Sequence, residues 1–216
     1  FSGSNIDCIN PVGLEGWSDG YVVVYMHEFN DYHHNGVLPA FASSYFEWLL
    51  LTLNILQKNE IPYLVKVHPS MLAEPFDEKH KNSLYGLVEL AALLSQPLRL
   101  APPLSSIDLL RSGMTLGCTV RGTVATELIY LRCPVVCSGS PPYQNFMPGR
   151  VVNCFEQYQT ILVEYLHQSP VTTDEYIANL NYLAQLWKPY PVSREEQKLA
   201  ENLGIYSASH STFLSL

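Results

Sequence analysis

The chain has 216 residues, of which 47% are hydrophobic and 15% charged, and its formal net charge is −8. That length and apolar share suffice to bury a core and exclude a disordered chain. The acidic balance excludes the electrostatic footprint of a nucleic-acid binder, so an anionic substrate would need local donors rather than a global field.

The five cysteines, Cys8, Cys118, Cys133, Cys137 and Cys154, form no regular framework, and an odd number argues against a secreted disulfide scaffold. Cys133 and Cys137 flank an apolar run and are expected as buried thiols in a reducing cytoplasm. No apolar run approaches the ~18 residues of a membrane span, and no signal peptide is visible. The chain opens without an initiator Met in a Gly/Ser/Asn/Pro-rich stretch. Residues 1–20 are therefore expected to be a linker or domain boundary. Residues 21–190 are expected to form one domain, and 191–216 a helical or irregular extension.

In chain order, residues 21–26 are a continuous β-branched and aromatic run, expected as a buried strand. A polar loop follows over 27–38. Residues 40–58 carry helical periodicity through Phe41, Tyr45, Trp48, Leu49, Leu51, Thr52 and Ile55. A second strand, 61–67, ends at His68-Pro69, where proline stops ladder donation. Residues 82–94 predict a helix with Leu84, Leu87, Val88, Ala91 and Leu94 as its core face. A short strand at 98–100 precedes Pro102-Pro103, and Ser105 or Ser106 can cap a short helix through Leu110. A strand at 114–120, a helix from Gly122-Thr123 to about Leu131 and a strand at 134–137 come next. Two helices, 155–167 and 173–186, close the domain, and the tail after Ser193 predicts one or two more helical turns. Strands separated by helices of this length need crossover connections. The expected fold class is therefore α/β, a Rossmann-like doubly wound and mostly parallel sheet with C-terminal helices. The runs 21–26, 63–67, 114–120 and 134–137 are expected at its centre. Ligands of such a fold bind beyond the carboxyl ends of the strands.

Four polar stretches fall at those ends. Lys66 and His68 leave the second strand and offer two donors to an anion, with Pro69 fixing the backbone between them and the turn. In 119–127 a strand gives way to Gly122, which permits close backbone approach, and then to a helix start whose amides favour a phosphate. Thr123 adds a hydroxyl there, and Glu127 a carboxylate able to bridge ribose hydroxyls. The loop 27–34 holds His27, Glu28, Asp31, His33 and His34. The adjacent His33 and His34 cannot share a helical face and no metal-ligand spacing is present, so the loop is expected as a polar active-site loop without a metal. Finally, Ser138, Gly139 and Tyr143 lie in a Gly/Ser/Pro loop after a strand, a place that can receive the base or sugar of a nucleotide.

Taken in order, these residues form His-x-Phe-x-Asp (His27, Phe29, Asp31), an aromatic helix around Glu47 and Trp48, and Leu-Val-Lys-x-His-Pro ending at Pro69. Gly-Thr-x-x-x-Glu (Gly122 to Glu127) and Pro-Val-Val-x-x-Gly-x-x-x-Tyr (Pro134 to Tyr143) complete the series. The series resembles the C-terminal domain of capsule and surface polysaccharide biosynthesis proteins, a group that includes bacterial Kdo transferases using CMP-Kdo. It is similar, more distantly, to GT-B sialyltransferases, whose His-Pro motif meets the CMP phosphate. The resemblance spans roughly residues 21–146, and Cys133, where the family carries a small or basic residue, marks a divergent member.

The resemblance implies the nucleotide-sugar-binding half of a GT-B glycosyltransferase of capsule or lipopolysaccharide synthesis. Lys66 and His68 would be the catalytic pair. His27, Asp31, His68, Pro69, Gly122, Thr123, Glu127, Ser138, Gly139 and Tyr143 would line the donor site. The donor would be CMP-Kdo first, another CMP-sugar second and a UDP-sugar third, with no metal and no other cofactor. The partners implied are a glycan or lipid-linked acceptor and an N-terminal GT-B domain that carries the acceptor site. The expected location is the cytoplasm, at the inner face of the membrane if the full protein associates peripherally with it. Two alternatives stand beside this reading: a non-catalytic nucleotide-binding or scaffold domain of a polysaccharide assembly complex, and a UDP-sugar epimerase of the same two-domain shape.

Overall fold

The computed structural model describes residues 5–9, 11–14, 17, 20–29, 38–72 and 78–186. The chain divides into Phe1–Tyr182 and a C-terminal unit, Leu183–Leu216, whose described part is the end of one helix. The expected tail helix after Ser193 lies outside the described residues, as do Asp31, His33 and His34.

The strands are β1 (Ile6–Cys8), β2 (Tyr21–Tyr25), β3 (Tyr63–Lys66), β4 (Leu98–Leu100), β5 (Met114–Thr119) and β6 (Val135–Cys137). The helices are α1 (Tyr45–Lys58), α2 (Glu78–Leu93), α3 (Ser106–Arg111), α4 (Val124–Tyr130), α5 (Phe155–Val163) and α6 (Thr173–Leu186). All strand pairings are parallel and the sheet order is β1-β4-β3-β2-β5-β6. This is the expected α/β doubly wound fold. The chain runs from β2 outward through β3 to β4, then crosses back to lay β5 on the other side of β2.

Two expectations need revision. The run 134–137 is not central: β6 pairs with β5 on one side, and among the described residues it meets on the other only an isolated bridge from Cys137 to Val151. An apolar run buried on both faces signals burial but not neighbours, because helices covering an edge strand hide it as well as further strands would. The segment expected as a linker contributes β1, which extends the opposite edge by pairing with β4, and Asn5 Nδ2 donates to the Ala91 carbonyl at 2.8 Å.

Alternation along β2 sends Val22 and Val24 into one core and Tyr21, Val23 and Tyr25 into the other. The first core is closed by α1, α2 and α5 through Trp48, Leu49, Leu53, Leu56, Leu90 and Tyr158. The second is closed by α3 and α4 through Leu109, Ala125, Leu128 and Ile129. Gly117 of β5 sits directly under α4, where a Cβ would lie 2.2 Å from Leu128 Cδ1.

Helix α1 is shorter than expected. It begins at Tyr45 because Ser44 caps it, accepting from the Glu47 N–H, while Glu47 reaches back to the Ser43 N–H at 2.6 Å. The hydroxyl–amide and carboxylate–amide bonds satisfy N–H groups that have no partner within the helix. On α2 the core face is Ser83, Leu87, Leu90 and Ala91, with buried Leu94 just past its end. Leu84 and Val88, expected in that face, are exposed. Ser105 caps α3 as anticipated. Cys118, Cys133 and Cys137 are buried free thiols, each pushed up to about 12 by loss of solvent, whereas Cys8 and Cys154 are exposed. Among the described residues no helix is long and apolar enough to cross a membrane.

Candidate functional site

The sheet reverses its direction of winding between β2 and β5. At such a switch point the loops leaving the two strands go to opposite faces and open a crevice at their carboxyl ends. A cleft of about 220 Å³ lies there, lined by Tyr25, Met26 and His27 at the end of β2, and by Lys66, Val67, His68 and Pro69 at the end of β3. Ser106 of α3, Thr119 of β5, Gly122, Thr123, Val124 and Glu127 complete it. Three residues singled out before folding, Lys66, His68 and Pro69, thus meet Gly122, Thr123 and Glu127 across the end of β2. The chain segments are far apart in sequence, and the strand order alone brings them together.

His27 is 8% exposed and stacks on Tyr45 of α1, ring centroids 4.5 Å apart. Its Nε2 accepts the Arg121 N–H at 3.3 Å and lies 3.2 Å from Thr119 Oγ1. A ring nitrogen that accepts carries no proton, so His27 presents the Nδ1–H tautomer. Thr119 Oγ1 in turn accepts the Gly122 N–H at 3.2 Å. The amide of Gly122, expected to face a phosphate, is therefore spent inside the loop. His27 acts from below as a brace for the turn 119–122. Gly122 is required there by space: a Cβ would lie 2.9 Å from Thr119 Oγ1 and 3.3 Å from Val124 Cγ1. Thr123 makes no side-chain cap bond to α4, so its hydroxyl remains at the cleft.

Lys66 Nζ donates to the Leu104 carbonyl in the loop before α3. Burial lowers the Lys66 pKa from its ordinary value, and the carboxylate of Glu127 works in the other direction. An ammonium has three donors, so one bond to a carbonyl leaves two for a ligand. Glu127 lies one turn into α4, with Ser106 Oγ donating to its Oε2 at 3.4 Å. His68 is 42% exposed, and its Nδ1 lies 3.9 Å from Oε1 of the buried Glu28.

The loop after β6 lies away from this cleft. Ser138, Gly139 and Tyr143 are buried and none lines the cleft. The amides of Ser138 and Gly139 donate to the carbonyls of Thr119 and Val120, continuing the β5–β6 pairing past the strand ends. The Tyr143 hydroxyl donates to the Gly122 carbonyl at 2.6 Å, from the core side. A Gly/Ser/Pro sequence at a strand end reads as an open loop, yet here the backbone bonds to β5 draw it inward. Sequence reasoning in turn missed Thr119, Ser106 and Tyr25 as cleft residues. Thr119 and Tyr25 read as strand positions and Ser106 as a cap, and only the crossover connection exposes their ends.

Comparison of the sequence with protein-family models and with curated proteins returned no match. Fold and cleft together define the class: a Rossmann-like α/β domain with a polar crevice at its topological switch point.

Proposed function

We propose that this domain binds the nucleotide part of an activated sugar in a glycosyltransferase of bacterial surface polysaccharide synthesis, with a CMP-sugar, CMP-Kdo first, as donor. The observation that carries the reading is the meeting of Lys66 and His68 with Glu127 in one switch-point cleft. Two donors on one side and a carboxylate on the other suit a phosphate beside a ribose. Lys66 and His68 would bind the phosphate and offset the negative charge that grows on it as the sugar departs, the interaction that usually dominates such steps. Glu127 would accept from the ribose hydroxyls, with the Thr123 hydroxyl close by. These protein donors take the part a metal plays in other transferases, so no cation is required.

The cleft volume of about 220 Å³ is below the range of roughly 300–1,000 Å³ that encloses a whole drug-sized ligand. That fits a site holding phosphate and ribose while the sugar and acceptor meet a second domain.

Calorimetric titration of CMP, UMP and AMP into the chain, with EDTA present, tests the reading. CMP is expected to bind most tightly and only weakly in absolute terms. Equal affinity for all three, or none for any, overturns the CMP-sugar assignment. Binding of UMP alone would favour the epimerase alternative.

A further inference from the structure

Among the residues that line the cleft, Lys66 is the only lysine or arginine and Glu127 the only carboxylate. The other titratable groups there, Tyr25, His27 and His68, carry no negative charge at neutral pH, and burial pushes the Tyr25 phenol up. Two opposite charges in about 220 Å³ would be expected to close on one another. Yet no ion pair joins them among the described residues, and Glu127 acts on Lys66 through space rather than as a hydrogen-bond partner. Each is held elsewhere. Lys66 Nζ donates to the Leu104 carbonyl, and Glu127 Oε2 accepts from Ser106 Oγ at 3.4 Å. The two anchors are two residues apart in the connection from β4 to α3, at most roughly 7 Å of chain. Rotation of the long side chains would suffice to bring the charges together. The connection itself is fixed. The Ala101 N–H donates to the Val65 carbonyl at 2.9 Å, the Leu104 N–H to the Pro102 carbonyl at 2.7 Å, and Ser105 Oγ accepts the Asp108 N–H at 3.2 Å.

We infer that Ser106 is a positioning residue for Glu127: with the Leu104 carbonyl it holds the carboxylate and the Lys66 ammonium on separate anchors, which keeps the cleft open between them. The direction of the bond follows from the donors present. The Tyr25 hydroxyl donates to Ser106 Oγ at 3.4 Å and lies 3.6 Å from Met114 Sδ, a weak acceptor. An ionised carboxylate has no proton to give, so Ser106 spends its single hydrogen on Glu127 and accepts from the phenol behind it. A bond of 3.4 Å is long. The state it competes with, however, is an ion pair open to water, since Glu127 is exposed and Lys66 half-buried, and such a pair is itself worth little. A light tether therefore decides between the two. Closing the pair would neutralise both charged groups of the cleft and fill the space between them. The benefit to donor binding rests on the donor-cleft reading proposed above, but the separation of the charges does not.

The test is the titration of the Lys66 ammonium, followed by nuclear magnetic resonance in the full chain isotope-labelled at its lysine side chains, with the signal assigned by Lys66→Met. A carboxylate that closes on an ammonium favours the charged form and raises its pKa. Wild-type Lys66 is expected to titrate below its ordinary value of 10.5. In Ser106→Ala the titration should move up, and in Ser106→Thr, which keeps the hydroxyl, it should stay at the wild-type value. Combining Ser106→Ala with Glu127→Gln should abolish the rise. A wild-type Lys66 that titrates above 10.5 is already paired and overturns the inference by itself, whether or not the variants fold. An unchanged or lower value in folded Ser106→Ala does the same, as does a rise that persists with Glu127→Gln. CMP titration separates the two claims. Weaker CMP binding in Ser106→Ala than in wild type supports a benefit to the donor site. An equal dissociation constant overturns that benefit and leaves the donor site standing. If wild type binds no CMP, the donor reading fails and the lysine titration alone decides on Ser106.

Discussion

The Tyr143 hydroxyl, on a side chain sealed from solvent, donates to the Gly122 carbonyl at 2.6 Å and ties the loop after β6 to the turn that forms one side of the cleft. The same carbonyl accepts the Ala125 N–H at 3.0 Å, so it is not orphaned when the phenol is lost. Tyr143→Phe is therefore expected to cost only the net value of one hydrogen bond, about 0.5–1.5 kcal/mol. Urea denaturation measures it, and hydrogen exchange should show faster exchange at the Gly122 and Ala125 amides. A loss of several kcal/mol would mean the hydroxyl does more than brace this turn.

Gly122→Ala tests the close approach directly. The new methyl meets Thr119 Oγ1 at 2.9 Å, an oxygen already held by the Gly122 amide and beside His27 Nε2. Because Thr119 is fixed from both sides, the strain cannot be relieved by a free rotation. Overpacking of this kind costs roughly 1–3 kcal/mol. The same change should weaken CMP binding, read by calorimetry, since the turn 119–122 must shift. A variant with wild-type stability would show that the turn has slack.

The Arg150–Glu175 pair fixes the approach of α6. Arg150 Nε and Nη2 meet the two Glu175 oxygens at 2.7 and 3.0 Å, while its Nη1 and Nη2 donate to the carbonyls of Ser169 and Pro170. The guanidinium holds the Glu175 carboxyl below its ordinary value of 4.5. The folded pKa is depressed, so the stabilisation is present above the unfolded value and is lost as pH falls through the folded one. Denaturation midpoints of wild type should thus fall below about pH 4.5 more steeply than those of Glu175→Gln. Arg150→Met, which takes the guanidinium from the carboxylate and leaves it the Thr172 N–H, should cost about 3 kcal/mol at neutral pH. Parallel acid profiles for wild type and Glu175→Gln would contradict this.

His68→Ala and Glu127→Ala should separate the two roles proposed for the cleft, measured in the full enzyme with circular dichroism as the fold control. Loss of His68 should lower turnover at saturating donor, because removing one preorganised donor typically costs about 2.7–4 kcal/mol of barrier. Loss of Glu127 should mainly raise the donor Michaelis constant, since the ribose contact is equal in ground and transition states. If both variants fold and keep wild-type kinetics, neither residue belongs to the site.

The sequence by itself determined the main strands and helices from residue 21 onward and the class of fold. Apolar runs at 21–26, 63–67 and 114–120 bury on both faces of a sheet, and such runs separated by helices require parallel crossovers. The strand-end residues Lys66, His68, Gly122, Thr123 and Glu127 were legible for the same reason: polar groups placed just past an apolar strand must lie at its carboxyl end. What only the tertiary structure decided is which strands are neighbours. Strand order made β6 an edge, added β1 at the other, and put β3 and β5 on either side of β2, where their loops form one cleft. Burial of side chains in loops was also beyond reach of periodicity. Tyr143 and Ser138 sit in a turn-rich stretch, and only the backbone bonds from 138 and 139 to β5 pull that stretch into the core. Glu28 shows the same limit from the other side. Read along the chain it is one acid in a polar loop, and only the pairing of β2 with β3 brings it, buried, to 3.9 Å from the His68 ring.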